Sequence, residues 1–280
     1  MRITLKVVVA IAVITAAGTA PAITLDGEWN DWFSYSGTSN DNWSQSSASG
    51  SLLNTNIRYK DDSDSDAYGG QNYDIEQFFY LYQDLDANAY TGGTLYIGMV
   101  TGYEPSNSSY RAGDLFIDLG YTGGATSYDL AIATGTESSS RFGDVWGNTG
   151  WSTSGVSIPS HSGANPYRVR ETQPGATYYT NALVDWDMGV GPGSAHNFLE
   201  IALGLDGNLE QAIALGGIGF HWTMACGNDN IDVLDTNPLS SVPPPPVDPD
   251  PTPVPVPAPF LLAGTGMLLV AVRKHRTSRR

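Results

Sequence analysis

Hydrophobic residues recur at every second position in five short runs of this 280-residue chain. In 94–100 the apolar set is Leu95, Ile97 and Met99; in 114–119 it is Leu115, Ile117 and Leu119. Tyr128, Leu130 and Ile132 repeat the pattern, as do Leu199, Ile201, Leu203 and Leu205, and then Ile218, Phe220, Trp222 and Met224. Period two predicts strands with one face on a core, because successive side chains leave a strand on opposite sides. Residues 75–82 are apolar almost throughout and predict a strand covered on both faces. Only 209–215 suggests a helix, of a turn or two. Gly- and Asn-rich turns separate the runs, so the expected class is all-β, an antiparallel β-sandwich spanning 23–238.

The two ends break this pattern. Residues 1–22 combine basic Arg2 and Lys6, an uncharged apolar run over 7–17, and small residues at Ala20 and Ala22. That layout is a secretory signal peptide, with cleavage by signal peptidase expected after Ala22. Residues 239–259 are rich in proline, with ten prolines among the seventeen residues 243–259. Proline fixes φ and donates no backbone hydrogen bond, so the segment is expected to be an extended polyproline stalk. Thirteen uncharged residues follow (260–272, FLLAGTGMLLVAV), then a basic end, 273–280, with five cations. Thirteen is short of the ~20 residues a spanning helix needs. Two readings stand: a short single-pass transmembrane helix with its basic end in the cytoplasm, or a sorting signal that is cut away.

Val256-Pro257-Ala258-Pro259, the short apolar segment and the Arg-rich end together resemble the PEP-CTERM sorting tail. The name-giving motif is Pro-Glu-Pro; this chain carries the Pro-Ala-Pro variant at Pro257-Ala258-Pro259. The resemblance implies an exosortase as processing partner. It also implies export through the inner membrane of a Gram-negative bacterium, to the cell surface or an extracellular polysaccharide matrix.

Charge sharpens the picture of the exported part. All 29 acidic residues lie within 23–259, against only six of the thirteen Lys and Arg, so this part carries six minus 29, or −23. Such a field repels phosphate backbones and disfavours a nucleic-acid partner. The single cysteine, Cys226, excludes an intrachain disulfide.

Candidate chemistry is sparse. Asp84, Asp86 and Asn88 occupy positions 1, 3 and 5 of a tight loop, a spacing that suits Ca²⁺. The same three residues equally cap a hairpin turn, and Ala89 and Leu95 depart from an EF-hand. Asp62, Asp64 and Asp66 repeat that spacing within a run of four carboxylates, which is either a second cation loop or a hydrated one. Trp29, Trp32, Trp146 and Trp151 lie near polar or Gly-rich segments. They offer faces for sugar rings or, alternatively, packing area with one partner for each indole N–H. His221, Cys226, Asp229 and Asp232 cluster in sequence, but strand alternation separates them and no metal-ligand spacing joins them. No GxSxG, HExxH or phosphate-loop motif is present, so no catalytic residue is assigned.

The opening Asp26-Gly27-Glu28-Trp29-Asn30-Asp31-Trp32 resembles the first strand region of DOMON-like domains and family-nine carbohydrate-binding modules. Tyr73-Asp74-Ile75-Glu76, Asp84-Leu85-Asp86 and Leu95-Tyr96-Ile97 resemble segments that follow it there. The resemblance implies a jelly-roll-like ectodomain that binds or organises extracellular polysaccharide. The alternatives are a secreted carbohydrate-active enzyme and an adhesin stiffened by calcium.

Overall fold

The structure, a computed structural model, describes residues 23–34, 52–54, 56–62, 70–83, 92–105, 111–120, 128–135, 141–147, 151–152, 168–169, 174–189, 196–224, 227 and 229–236. All of them fall in the first of two compact units, Met1–Pro243 and Pro244–Arg280. The expectations for the signal segment with Ala20 and Ala22, the stalk with Val256 to Pro259, and the apolar tail lie outside the described residues. So do those for Asp64, Asp66, Asp84, Asp86, Asn88 and Cys226. Among the described residues no helix is long and apolar enough to cross a membrane.

The chain is mostly β, in two antiparallel sheets. In sheet order, the first joins β1 (Arg58–Asp61), β2 (Ile75–Gln83), β3 (Thr94–Thr101), β11 (Asn197–Gly204) and β10 (Leu183–Asp187). The second joins β13 (Asn230–Asp235), β12 (Ile218–Thr223), β4 (Asp114–Leu119), β5 (Leu130–Ala133), β6 (Asp144–Gly147) and β9 (Thr177–Asn181). A ribbon of β7 (Trp151–Ser152) and β8 (Arg168–Val169) stands apart.

The period-two runs become the walls of one core. Leu95, Ile97 and Met99 of β3 and Leu199, Ile201 and Leu203 of β11 share a buried cluster with Leu115 and Ile117 of β4 and with Ile218, Phe220 and Trp222 of β12. Both sheets thus turn an apolar face into the same interior, and at ~25 cal/mol per Å² this burial is the main term favouring the fold. Tyr128 departs from the expected pattern. It precedes β5, where the chain still bends, and packs with Phe116 on the opposite face of the second sheet.

β2 is buried along its length except at Gln83, as its continuous apolar run predicts. Phe78, Tyr80 and Tyr82 face the shared core, and Phe79 and Leu81 face a second cluster with Trp32, Phe33, Ile57, Val100 and Phe198. A bulge between Ile75 and Gln77 shifts the parity, so Ile75 also reaches the shared core.

The second cluster forms because residues 23–33, 52–54 and 56–57 lie over the far face of the first sheet. Trp32 rests there on Gly98, where a Cβ would come within 3.1 Å of the indole and 2.8 Å of Phe198. Trp29, Phe33 and Phe79 stack in a column, with ring centroids 5.1 and 5.0 Å apart. Helix α1 (Gly207–Gly216) is longer than the sequence pattern suggests. Asp206 starts it two residues early by accepting from the Asn208 and Leu209 N–H groups.

Candidate functional site

The most distinctive surface is the face of the second sheet turned away from the core. Strand registry there sets one residue of each strand side by side. Asp232 pairs with His221, His221 with Phe116, Phe116 with Ala131, Ala131 with Trp146, and Trp146 with Tyr178. Cross-strand neighbours on one face stand ~4.5–5.5 Å apart, so these residues form a continuous row across six strands.

The row has a floor and rims. Phe116 and Ala131 are fully buried, packed with Val169 of the small ribbon. Tyr128 leans over Phe116 and His221, with ring centroids 5.3 and 5.8 Å away. Trp146 is half-buried and meets Tyr178 edge to face at 5.9 Å and 82°. Tyr178 is half exposed. Among the described residues the buried Trp146 indole N–H meets no acceptor, although buried polar groups are rarely left so. At the other end His221 Nδ1 lies 2.7 Å from Asp232 Oδ1, which orients the ring.

Carboxylates flank this row. One step along the strands, Asp118 stands beside Gly219, which pairs in turn with Leu234. Across β5, Asp129 accepts the Leu119 N–H at 2.7 Å. Burial, and then the charge of Asp129, push the Asp118 carboxyl above its ordinary range. Toward the other end of β4, Asp114 accepts the Val169 N–H at 2.8 Å and pairs with Arg141 at 3.2 Å. Burial raises its pKa against the pull of Arg141. Asp114 therefore ties the small ribbon to the sheet. The arrangement can bind by stacking and hydrogen bonding: aromatic rings for apolar ring faces, and carboxylates for hydroxyl or amine donors.

The sequence-predicted residues separate clearly. Trp146 lies in the row. Trp32 takes the packing alternative: it is fully buried and donates its indole N–H to Glu200 at 2.6 Å. Trp29 is half-buried with one ring face on Phe33. Trp151 opens β7. Asp62 donates its backbone N–H to the Glu76 carbonyl at the end of β1. Of the grouped His221, Asp229 and Asp232, the first and last do meet. Asp229 turns elsewhere and accepts from Ile75 N–H at 2.7 Å. Among the described residues no group of three or more His, Cys, Asp or Glu side chains is placed to hold a metal ion.

Sequence reasoning did not find Tyr178, Asp118 or Glu200. Glu200 is fully buried and accepts from Trp32 and from the Asp26 and Gly27 N–H groups. Burial lifts its carboxyl to about 7, against the downward pull of those three donors. The Asp-Gly-x-Trp-x-Asp-Trp opening is thus a clasp around one carboxylate. Its only sequence signal is a Glu on the strand face opposite Leu199 and Ile201. No protein-family model, curated protein or solved structure matches the chain.

Proposed function

We propose that this is an exported surface or matrix protein that binds extracellular polysaccharide on the outer face of its second sheet. Supporting this reading is the row from Asp232 to Tyr178, in which half-buried Tyr128 and Trp146 and half-exposed Tyr178 rise above a floor of Phe116 and Ala131. Such rings stack on sugar C–H faces, while neighbouring carboxylates take the hydroxyls. The two sheets, facing one another across a common core, suit a jelly-roll-like β-sandwich that would serve as the ectodomain.

Delivery rests on the sequence. The signal segment 1–22, the proline-rich stalk, the apolar segment 260–272 and the basic end 273–280 fit an exosortase substrate held at, or released from, the membrane. Expression with and without an exosortase, followed by mass measurement of the C-terminus, tests this part. Loss of the tail is expected only in the presence of the enzyme; an intact tail in both backgrounds refutes the sorting reading.

The binding part is tested by co-sedimentation of the full-length chain with insoluble polysaccharides. Wild type should pellet with at least one of them, and a Trp146→Ala/Tyr178→Ala variant should stay in solution. Equal pelleting of the two proteins counts against the face. Release of new reducing ends by the wild type would instead make the face an active site.

A further inference from the structure

Residues 23–33 bury Ile23, Trp32 and Phe33, yet they join neither sheet. Among the described residues their backbone hydrogen bonds run within the segment, to residues 52–53, or to Glu200. Lifting the segment therefore breaks no ladder of either sheet. Three of its ties to the first sheet end on one buried carboxylate. Glu200 accepts from the Asp26 and Gly27 N–H groups at 3.1 and 2.7 Å and from the Trp32 indole at 2.6 Å.

Glu200 sits among like charges. On β10, Asp185 is its register partner and Asp187 lies two residues further on. A Cβ on Gly27 would stand 3.5 Å from Asp185 Oδ2 and 3.0 Å from Asp187 Cβ, so the loop that clasps Glu200 rests on both. Asp26 belongs to that loop. Glu28 and Asp31 turn to their own segment, accepting from Asn30 Nδ2 and the Thr24 N–H at 2.6 Å each. β3 places only Gly98 opposite Glu200. On β11 the neighbouring titratable group, His196, pairs with Glu76. The ion pairs among the described residues engage none of Asp26, Asp185, Asp187 and Glu200. Burial resists ionisation of Glu200, the three donors favour it, and Asp26 resists it again. The balance leaves the carboxyl at about 7.

We propose that residues 23–33 are a proton-controlled flap on the first sheet. Protonated Glu200 keeps the segment closed. Loss of that proton puts a buried negative charge beside Asp26, Asp185 and Asp187, and the segment lifts to hydrate it. Lifting uncovers Phe79 and Phe198, on which Trp32 and Phe33 pack in the closed form. The first sheet thereby gains an apolar outer face at raised pH. A released Glu200 gives up its proton near 4.5 and the clasped one near 7. Opening is therefore rarest below 4.5, rises by up to about tenfold per pH unit in between, and levels off above about 7.

Amide hydrogen exchange of the full-length chain between about pH 5 and 8, corrected for the intrinsic rate at each pH, tests the flap. Protection of residues 23–33 should fall roughly fifty- to a hundredfold across that range. Low urea separates this local opening from global unfolding, because sensitivity to denaturant scales with the surface exposed. Urea should thus speed exchange in β4 and β12 more than in 23–33. Glu200→Gln, which carries no titrating proton, should flatten the pH profile. If that variant does not fold, Asp26→Asn keeps an acceptor for the Glu28 N–H, removes the repelling charge and should shrink the fall by at least about twofold. A profile that is the same in wild type and in the folded variant overturns the flap. So does protection of 23–33 that matches β4 and β12 in both its pH and its urea dependence.

Discussion

Glu200 shows how one residue organises a whole segment. Three N–H donors converge on its carboxylate in a place that water does not reach. Trp32→Phe keeps the ring and removes one donor. It should cost about 1–3 kcal/mol of stability, read as a lower denaturation midpoint, since a buried acceptor then loses its charge-assisted partner. The sign of the pH effect follows from burial. An unfolded Glu200 releases its proton near 4.5, whereas the folded one holds it to about 7. Stability from this group is therefore fully present below 4.5 and is lost as pH rises to about 7, at up to about 1.4 kcal/mol per unit. Urea denaturation across that range should show a shallower pH slope in Glu200→Gln than in wild type. An identical slope in both would remove Glu200 from the account.

At the scale of elements, the regular strands were legible and the irregular ones were not. β3, β4, β11 and β12 announce themselves because large apolar core positions recur at every second residue, although their other faces are largely buried too. β9, Thr177–Asn181, is exposed at all but one residue, so its sequence carries no burial pattern. β1 has a single apolar residue among four. Such edge strands are set by pairing with a neighbour, which a linear pattern does not record. For the same reason Tyr178 escaped notice: its place beside Trp146 is fixed by registry between strands 30 residues apart. Helix α1 escaped in part because its start depends on the Asp206 cap rather than on periodicity. Asp206→Ala should cost about 1 kcal/mol. Its end depends on Gly217, at φ 90, where a Cβ would lie 2.4 Å from the Asp235 carbonyl. Gly217→Ala should destabilise the chain more than the cap substitution does, through both the backbone conformation and the clash. Thermal melts of the two variants side by side make that comparison.

At the scale of the whole molecule, the two sheets have different outer faces. The first is closed by residues 23–33, 52–54 and 56–57, which bury Trp32 and Phe33 against Phe79 and Phe198. The second carries the aromatic row, flanked by Asp118 and Asp129. The aromatic residues of the sequence thus divide between a structural set and a surface set, and only burial in the fold tells them apart. Net charge adds a second property: residues 23–259 are strongly acidic. Its affinity for a cationic polymer should therefore fall with added salt, while affinity for a neutral glucan should change little. Measuring both between about 50 and 500 mM salt, over which the Debye length shortens roughly threefold, separates the two cases.

The claim beneath all of this is that ligand meets the chain at the second sheet and not the first. Amide hydrogen exchange on the full-length chain, with and without a saturating soluble oligosaccharide of a polysaccharide with which it co-sediments, tests it most directly. Slower exchange is expected around Asp129, in β6 and in β9, with residues 23–33 unchanged. Protection confined to residues 23–33, or found nowhere in the second sheet, would contradict it.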